Sequence, residues 1–92
     1  MAAVTVRIPT QLRPLAGGNA EVGVEGTTVA EVLKALEAAH PGFQDRLFDE
    51  GGKLRRFVNV FVADEDIRFL DGLDTPVSDG GVVSIVPAVA GG

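Results

Sequence analysis

The 92-residue sequence contains no cysteine and only one histidine, and these shortages exclude several kinds of chemistry. Without cysteine the chain has no disulfide, no thiolate metal ligand and no side-chain persulfide. His40 precedes Pro41 at a predicted helix end, where it suits the helix dipole, and it is the only imidazole available to any serine. The sequence therefore predicts neither a catalytic residue nor a metal site, and we expect the protein not to be an enzyme.

Long apolar runs and an excess of positive charge are also missing. The chain has 8 Lys and Arg against 13 Asp and Glu, a net charge of -5, which is the wrong sign for binding a phosphate backbone. No apolar run approaches the roughly 20 residues of a membrane span. The first seven residues also lack the basic and apolar regions of a secretory signal. We therefore expect a cytoplasmic protein, monomeric by itself, that binds neither nucleic acid nor a membrane.

Alternating apolar residues predict two strands near the start of the chain, at residues 4–8 and Glu21–Glu25, which together suggest a hairpin. Pro9 should end the first strand, and a loop through Pro14 and the glycine pair at 17–18 should join it to the second.

The clearest local signal is a capped amphipathic helix. Thr28 and Glu31 have capping-box spacing, so the hydroxyl and the carboxylate can each satisfy a free backbone N–H. Pro41 and Gly42 should stop the helix. Its apolar stripe consists of Val29, Val32, Leu33 and Leu36.

The rest of the chain predicts short elements. They are a helical turn around Phe43, Leu47 and Phe48, strands at 57–62, 67–69 and 82–86, and polar turns at 64–66 and 78–81. Because one main helix can cover only one face of these strands, the sequence predicts an α+β domain.

The chain ends in an uncharged tail that begins after Pro87, the residue expected to end the last strand. We divide the chain into a folded domain at 1–87 and a flexible tail at 88–92. A terminal carboxylate reaches the α-phosphate of ATP only through a narrow enzyme channel, and glycines at the last two positions leave that entry open. The tail is therefore either a segment whose terminal carboxylate is activated inside a partner enzyme or a frayed terminus that happens to end in glycines. The tail reads Ala88, Val89, Ala90, Gly91 and Gly92.

Acidic residues are concentrated between positions 64 and 79, where Arg68 is the only opposing charge. The alternating ligand spacing and terminal Glu of a calcium loop are absent. The stretch is either a solvated surface or a docking site for a basic partner, in which Asp64 and Asp66 are the candidate contacts.

The order of elements and the ending at residues 79–92 together resemble the ThiS/MoaD sulfur carriers, which have the ubiquitin-like β-grasp fold. That ending has an Asp-Gly turn, an apolar strand, a Pro-containing apolar tail and Gly-Gly, in the same order as in the family. The resemblance covers essentially the whole chain and implies one mixed sheet of four to five strands packed on one main helix. Residues 56–69 and 87–92 more narrowly resemble the actinobacterial carriers of O-phosphoserine-dependent cysteine biosynthesis.

The resemblance implies a mechanism in which Gly92 is the reacting residue. A ubiquitin-activating-type enzyme would use ATP to adenylate its carboxylate, and sulfide or a persulfide donor would then leave a thiocarboxylate. A cysteine synthase holding an aminoacrylate on pyridoxal phosphate would accept the sulfur, and a metalloprotease would release cysteine. Gly91 would provide access, residues 87–90 would thread into partner active sites, and the chain itself would bind no cofactor.

Two other functions share the same activated end. One is a ubiquitin-like modifier that forms isopeptide bonds with lysines. The other is the small subunit of molybdopterin synthase, or a carrier shared by pathways that make other sulfur-containing metabolites.

Overall fold

The computed structural model describes residues 2–55 and 58–87, which form one five-stranded sheet with helices packed against it. In space the strands follow the order β2-β1-β5-β3-β4. The β1–β5 pair is parallel and the other pairs are antiparallel, so the sheet is mixed and the predicted α+β architecture is confirmed. The strands are β1 (Ala3–Arg7), β2 (Glu21–Glu25), β3 (Val58–Val62), β4 (Glu65–Asp66) and β5 (Val82–Pro87).

Helix α1 (Val29–Ala39) covers the inner face of this sheet, as its apolar stripe predicts. All four residues of the stripe are buried, and they join a core to which alternate residues of β1, β3 and β5 contribute. A second short helix, α2 (Phe43–Leu47), buries Phe43 and Leu47 completely. No helix in the two described ranges is both long and apolar enough to cross a membrane.

The start of α1 is capped as predicted, with one difference. The Thr28 hydroxyl accepts the Glu31 backbone N–H at 3.3 Å. The Glu31 carboxylate, however, accepts the hydroxyl and the backbone N–H of Thr27, at 2.6 and 2.8 Å, one residue before the expected position. Both Thr27 donors favour the charged carboxylate, and the hydrogen bond from the hydroxyl is the larger cause that lowers the pKa of Glu31.

The prediction of a polar turn at 64–66 is wrong, because the turn occupies Ala63 and Asp64 instead. Both residues have positive φ, 50° and 70°, as the centre of a two-residue type I′ hairpin turn requires. Val62 therefore pairs with Glu65, and Glu65–Asp66 is strand β4. This turn type is usually signalled by Asn-Gly, which is why the Ala-Asp pair did not predict it.

The predicted strand at 67–69 is also wrong, since Ile67–Phe69 forms a single 3-10 turn. In a strand Ile67 and Phe69 would share one face, whereas in a 3-10 helix they lie about 120° apart around the axis. Ile67 is accordingly buried while Phe69 is 86% exposed.

Two further boundaries differ from the sequence prediction. The loop between β1 and β2 contains a 3-10 helix, Thr10–Ala16, which buries Ala16 and ends at Gly17 with φ 66°. Pro87 pairs with Val58 and belongs to β5, whereas the sequence predicted that the strand would stop before it.

The turn at 78–81 is confirmed, and it fastens the start of β1. The Ala3 N–H donates to Asp79 Oδ1 at 2.9 Å, and the Gly80 N–H donates to the Ala3 carbonyl at 2.8 Å. The C-terminal strand is thereby anchored to the N-terminal strand just before the two pair.

We expect Leu33→Ala to lower the free energy of unfolding by about 2–5 kcal/mol, because it opens a cavity under α1. Thr28→Ala should cost about 1 kcal/mol through loss of the helix cap. Chemical denaturation of both variants measures these values. A neutral Leu33→Ala would contradict the position of this side chain in the core.

Candidate functional site

The end of β5, from which the tail continues, is supported on one side only. β1 pairs Thr5 through Arg7 with residues 82–84 of β5 and goes no further. β3 pairs with residues 83–87. Among the strands that the structure describes, β3 is therefore the one neighbour of residues 85–87 in the sheet. Pro87, which has no N–H to donate, is tolerated where one side of the strand has no ladder.

The tail residues themselves lie outside the described residues. The predicted attachment of sulfur at Gly92 and the predicted threading role of the tail therefore stay predictions, and only Pro87 of this segment has a described position. These tail residues are Ala88, Val89, Ala90, Gly91 and Gly92.

The outer face of the sheet carries an apolar side chain at the base of the tail. Val83 and Ile85 of β5 point into the core, so their neighbours Val82 and Val86 lie on the opposite face. Val86 is 42% exposed and directly precedes Pro87. Phe61, on the same face of β3, is half-buried. A protein that receives the tail from this side meets these side chains first.

The two candidate docking carboxylates lie in one hairpin but have different surroundings. Asp64 is exposed at the turn, with φ 70°. Asp66 is half-buried, and its Oδ1 accepts the backbone N–H of Arg68 at 2.9 Å, which caps the following 3-10 turn. The Asp64 side chain is therefore available to a partner, whereas Asp66 already has a structural role.

Phe69 and Leu70 form an exposed apolar pair next to this hairpin that the sequence reasoning missed. They are 86% and 40% exposed, respectively. Ile67 beside them is buried, so the pair projects from a fixed turn. A 3-10 periodicity over residues 67–69, with three residues per turn, would have predicted that Ile67 and Phe69 face different ways.

Arg68 is the second feature that the sequence reasoning missed. Its Nη1 donates to the side-chain oxygen of Asn59 at 2.6 Å, and its Nη2 donates to the carbonyl of Val58 at 2.9 Å. The sequence marks Arg68 only as the single cation of an acidic stretch, and a contact nine or ten residues away leaves no local signal.

Concave surfaces on the described residues offer no catalytic arrangement. A groove of about 310 Å³ between α1 and α2 has an apolar floor that includes Leu33, Phe48 and Leu73. Glu37 at its rim accepts the backbone N–H groups of Gly42 and Gln44, so this carboxylate joins the two helices. Within residues 2–55 and 58–87, no three His, Asp or Glu side chains come together as metal ligands.

The class of the protein follows from this geometry. A mixed sheet in the order 2-1-5-3-4, with its central pair parallel and one main helix across one face, is the ubiquitin-like β-grasp fold. The family follows from comparison with known proteins: the model of the ThiS family matches residues 6–92, and the chain belongs to that family.

Three relatives extend this assignment. The sulfur carrier protein CysO of Mycobacterium tuberculosis is 53% identical over 91 residues, which cover 97% of this chain and 98% of that protein. A chain of the crystal structure of the Amycolatopsis orientalis BexX/CysO complex is 51% identical, with a TM-score of 0.91, over 98% of this chain and 100% of that one. Small archaeal modifier protein 3 of Haloferax volcanii is 40% identical over 68 residues, 74% of this chain and 73% of that protein. The resemblance drawn from the sequence is confirmed.

Proposed function

We propose that the chain is a sulfur carrier protein, a co-substrate and not an enzyme, whose Gly92 carboxylate is adenylated and converted to a thiocarboxylate. The observation that carries this proposal is the similarity to CysO, which extends over nearly the whole of both chains. The match to the ThiS family model, which reaches Gly92, supports it.

The chemistry needs only the terminal carboxylate of this chain. One of its oxygens attacks the α-phosphate of ATP on an adenylating enzyme, and pyrophosphate leaves. Hydrosulfide then attacks the acyl carbon and displaces AMP, which leaves the sulfur on the terminal carbonyl. Because the sulfur rides on the backbone, a chain without cysteine suffices. Gly91 and Gly92 present no side chain that would obstruct the close approach of another backbone.

The acceptor that we propose is an aminoacrylate, derived from O-phosphoserine and held on the pyridoxal phosphate of a partner synthase. Addition of the thiocarboxylate sulfur to the β-carbon of this acceptor would give a thioester between Gly92 and cysteine. Once the amine of the cysteine is free of the cofactor, it would take the acyl group from sulfur, and a metalloprotease would then hydrolyse the resulting amide after Gly92 to release cysteine and restore the carboxylate. Pyridoxal phosphate belongs to the synthase and ATP to the activating enzyme. Since activation consumes ATP, we propose a cytoplasmic location.

The folded domain serves in this cycle as the surface that partners bind. The Amycolatopsis structure is a complex of CysO with BexX, so a close relative binds another protein. In this chain Val86 lies at the base of the tail, Phe61 lies further along the same face of the sheet, opposite Ser84, and the exposed Asp64 lies in the turn beyond β3. We propose that the activating enzyme approaches the outer face of the sheet and contacts these residues while the tail enters its channel.

A second candidate function is that of a protein modifier. The similarity to small archaeal modifier protein 3 favours it, because a modifier uses the same activated end. Incubation with extract of the native host and ATP separates the two functions. A modifier gives a ladder of conjugates, whereas a carrier gives one product in which a sulfur has replaced an oxygen.

The terminal carboxylate can be tested with two additions of equal mass. We expect a single glycine appended after Gly92 to abolish ATP-dependent adenylation by the purified activating enzyme, because it displaces the carboxylate from the α-phosphate. Misplacement by about 1 Å already costs on the order of a hundredfold in rate. The same glycine placed before Met1 is the matched control and should leave adenylation unchanged.

Removal of Gly91 and Gly92 should abolish adenylation as well. The free energy of unfolding should stay within about 0.5 kcal/mol of the unaltered protein in all three variants, as expected for changes away from packed features. Normal activation of the shortened chain, or of the chain extended after Gly92, would show that the terminal glycines have no role in the reaction.

The acidic hairpin can be tested without disturbing its structure. Asp64→Asn removes the charge and keeps a residue that tolerates positive φ, and Glu65→Gln removes an exposed charge from β4. If the hairpin docks on a basic surface, the double variant should associate with the activating enzyme more slowly and with a weaker salt dependence.

The control for the hairpin test is Glu50→Gln, which neutralises an exposed charge in the loop after α2. Asp66 is left unchanged because it caps the 3-10 turn. Identical association rates for both proteins across a salt series would assign the hairpin to solvated surface.

A further inference from the structure

The edge of β3 that faces away from β5 is covered unevenly. β4 is only two residues long and pairs with Phe61 and Val62. Residues 58–60 have no strand beside them on that side in the described part of the sheet, so they would present an open edge. The side chain of Arg68 occupies this position.

The base of Arg68 is fixed, so its guanidinium reaches β3 from a defined point. The backbone N–H of Arg68 donates to Asp66 Oδ1, the neighbouring Ile67 is 1% exposed, and the Leu70 N–H closes the turn on the Ile67 carbonyl. From this turn, Nη2 donates to the Val58 carbonyl and Nη1 to the Asn59 side chain. On this side of β3, β4 therefore covers residues 61 and 62, and the side chain of Arg68 covers residues 58 and 59.

The charge of Arg68 is directed to these neutral oxygens. Among residues 2–55 and 58–87, the structure has one ion pair within 4.0 Å, Arg7 with Glu21, and Arg68 is not part of it. Hydrogen bonds from an ionised donor are shorter and stronger than those between neutral groups. The planar guanidinium offers diverging donors that bind two acceptors at once, which the ammonium of lysine does less well.

The two residues that Arg68 holds are those that support the base of the tail. Val58 lies opposite Pro87, and Asn59 lies opposite Val86. β1 does not extend to this part of β5, so among the described strands only β3 supports it in the sheet. A displacement of Val58 and Asn59 would therefore be transmitted to the last two residues of β5.

We propose that Arg68 is a positioning residue, which fixes the position of Pro87 on the folded domain, the point from which the tail must reach the reacting phosphate. This inference rests on the proposed function. Gly92 lies five residues beyond Pro87, and five residues span at most about 18 Å, so the position of Pro87 on the docked domain limits where the terminal carboxylate can reach. In adenylation, KM for the carrier then reflects how the folded domain docks on the activating enzyme, whereas kcat reflects how the terminal carboxylate is placed.

The test compares Arg68→Ala and Arg68→Lys with Arg46→Ala. Arg46 is an exposed residue of α2 whose side chain makes no hydrogen bond or ion pair with the described residues, so Arg46→Ala removes one positive charge, as Arg68→Ala does, without breaking a contact. For Arg68→Ala we expect kcat for adenylation to fall about tenfold or more, since misplacement by about 1 Å costs on the order of a hundredfold. KM for the carrier should stay within about twofold, because the docking surface is retained. Arg68→Lys should be intermediate, and Arg46→Ala should match the unaltered protein.

Amide hydrogen exchange provides a readout that does not depend on activity. In Arg68→Ala, exchange should accelerate in residues 58–60 and 84–86 and stay unchanged in the hairpin of β1 and β2. Asn59→Ala removes one acceptor of the same contact and should lower kcat in the same direction. Combined with Arg68→Ala it should add little, because both changes break one interaction. If Arg68→Ala does not fold, Arg68→Lys and Asn59→Ala carry the comparison.

The inference fails if kcat is unchanged in the Arg68 and Asn59 variants, or if exchange at the base of the tail is unaffected. A rise in KM with kcat unchanged also overturns it, because Arg68 would then be a docking contact. These outcomes leave the carrier function intact when the unaltered protein is adenylated. If the unaltered protein is not adenylated at Gly92, the proposed function fails and the inference fails with it.

Discussion

Pairing of β5 with β1 on one side and β3 on the other is the interaction on which the rest of the fold depends. Val83 and Ile85 of this strand reach the centre of the core, beneath α1. The Asp79 turn fastens the strand to the start of the chain just before the parallel pairing begins. The last strand of the sequence is therefore a central strand, and the tail continues from its last residues, which β3 flanks on one side.

This arrangement separates the work of the domain from that of the tail. In the proposed function the domain supplies a fixed base at Pro87 and surfaces for partners, and the tail supplies the reacting carboxylate. A carrier that visits several enzymes needs only one reactive group of its own if each enzyme brings the activation, the acceptor and the cofactor. The shortage of catalytic side chains and the missing cysteine fit this division.

Several of the carboxylates that make the chain acidic also stabilise its fold, which the sequence alone does not show. Several carboxylates accept backbone N–H groups at the ends of helices and in turns, where such contacts satisfy donors that would otherwise be unpaired. These carboxylates keep their charge and still contribute to the field of the net charge of -5, but fewer side chains are left to make direct contacts with a partner, and Asp64 is one of those. The carboxylates used in this way include Glu31, Glu37, Asp49, Asp66 and Asp79.

The regular parts of this fold were predictable because their signals are local. The spacing of apolar residues and the capping residues predict helix α1, and the alternation of apolar and polar residues predicts the strands. The hairpin at 63–64 was not predictable, since Ala and Asp adopt positive φ there only because the pairing of β3 with β4 imposes it. The same holds for the Arg68 contacts, which exist only after β3 and the 3-10 turn have come together. In the described part of the candidate site, strand β5 was predicted from the sequence, whereas the contacts by which Arg68 holds β3 beside it were not.

The central position of β5 also determines how the molecule bears a mechanical load. A force applied to the chain beyond Pro87 along the axis of β5 acts on both of the ladders that this strand forms. In that direction the hydrogen bonds to β1 and β3 are strained together, in shear, and no single rung has to open before the next. The two ladders therefore resist such a force as a unit, and the last strand stays in the sheet under tension along its own axis.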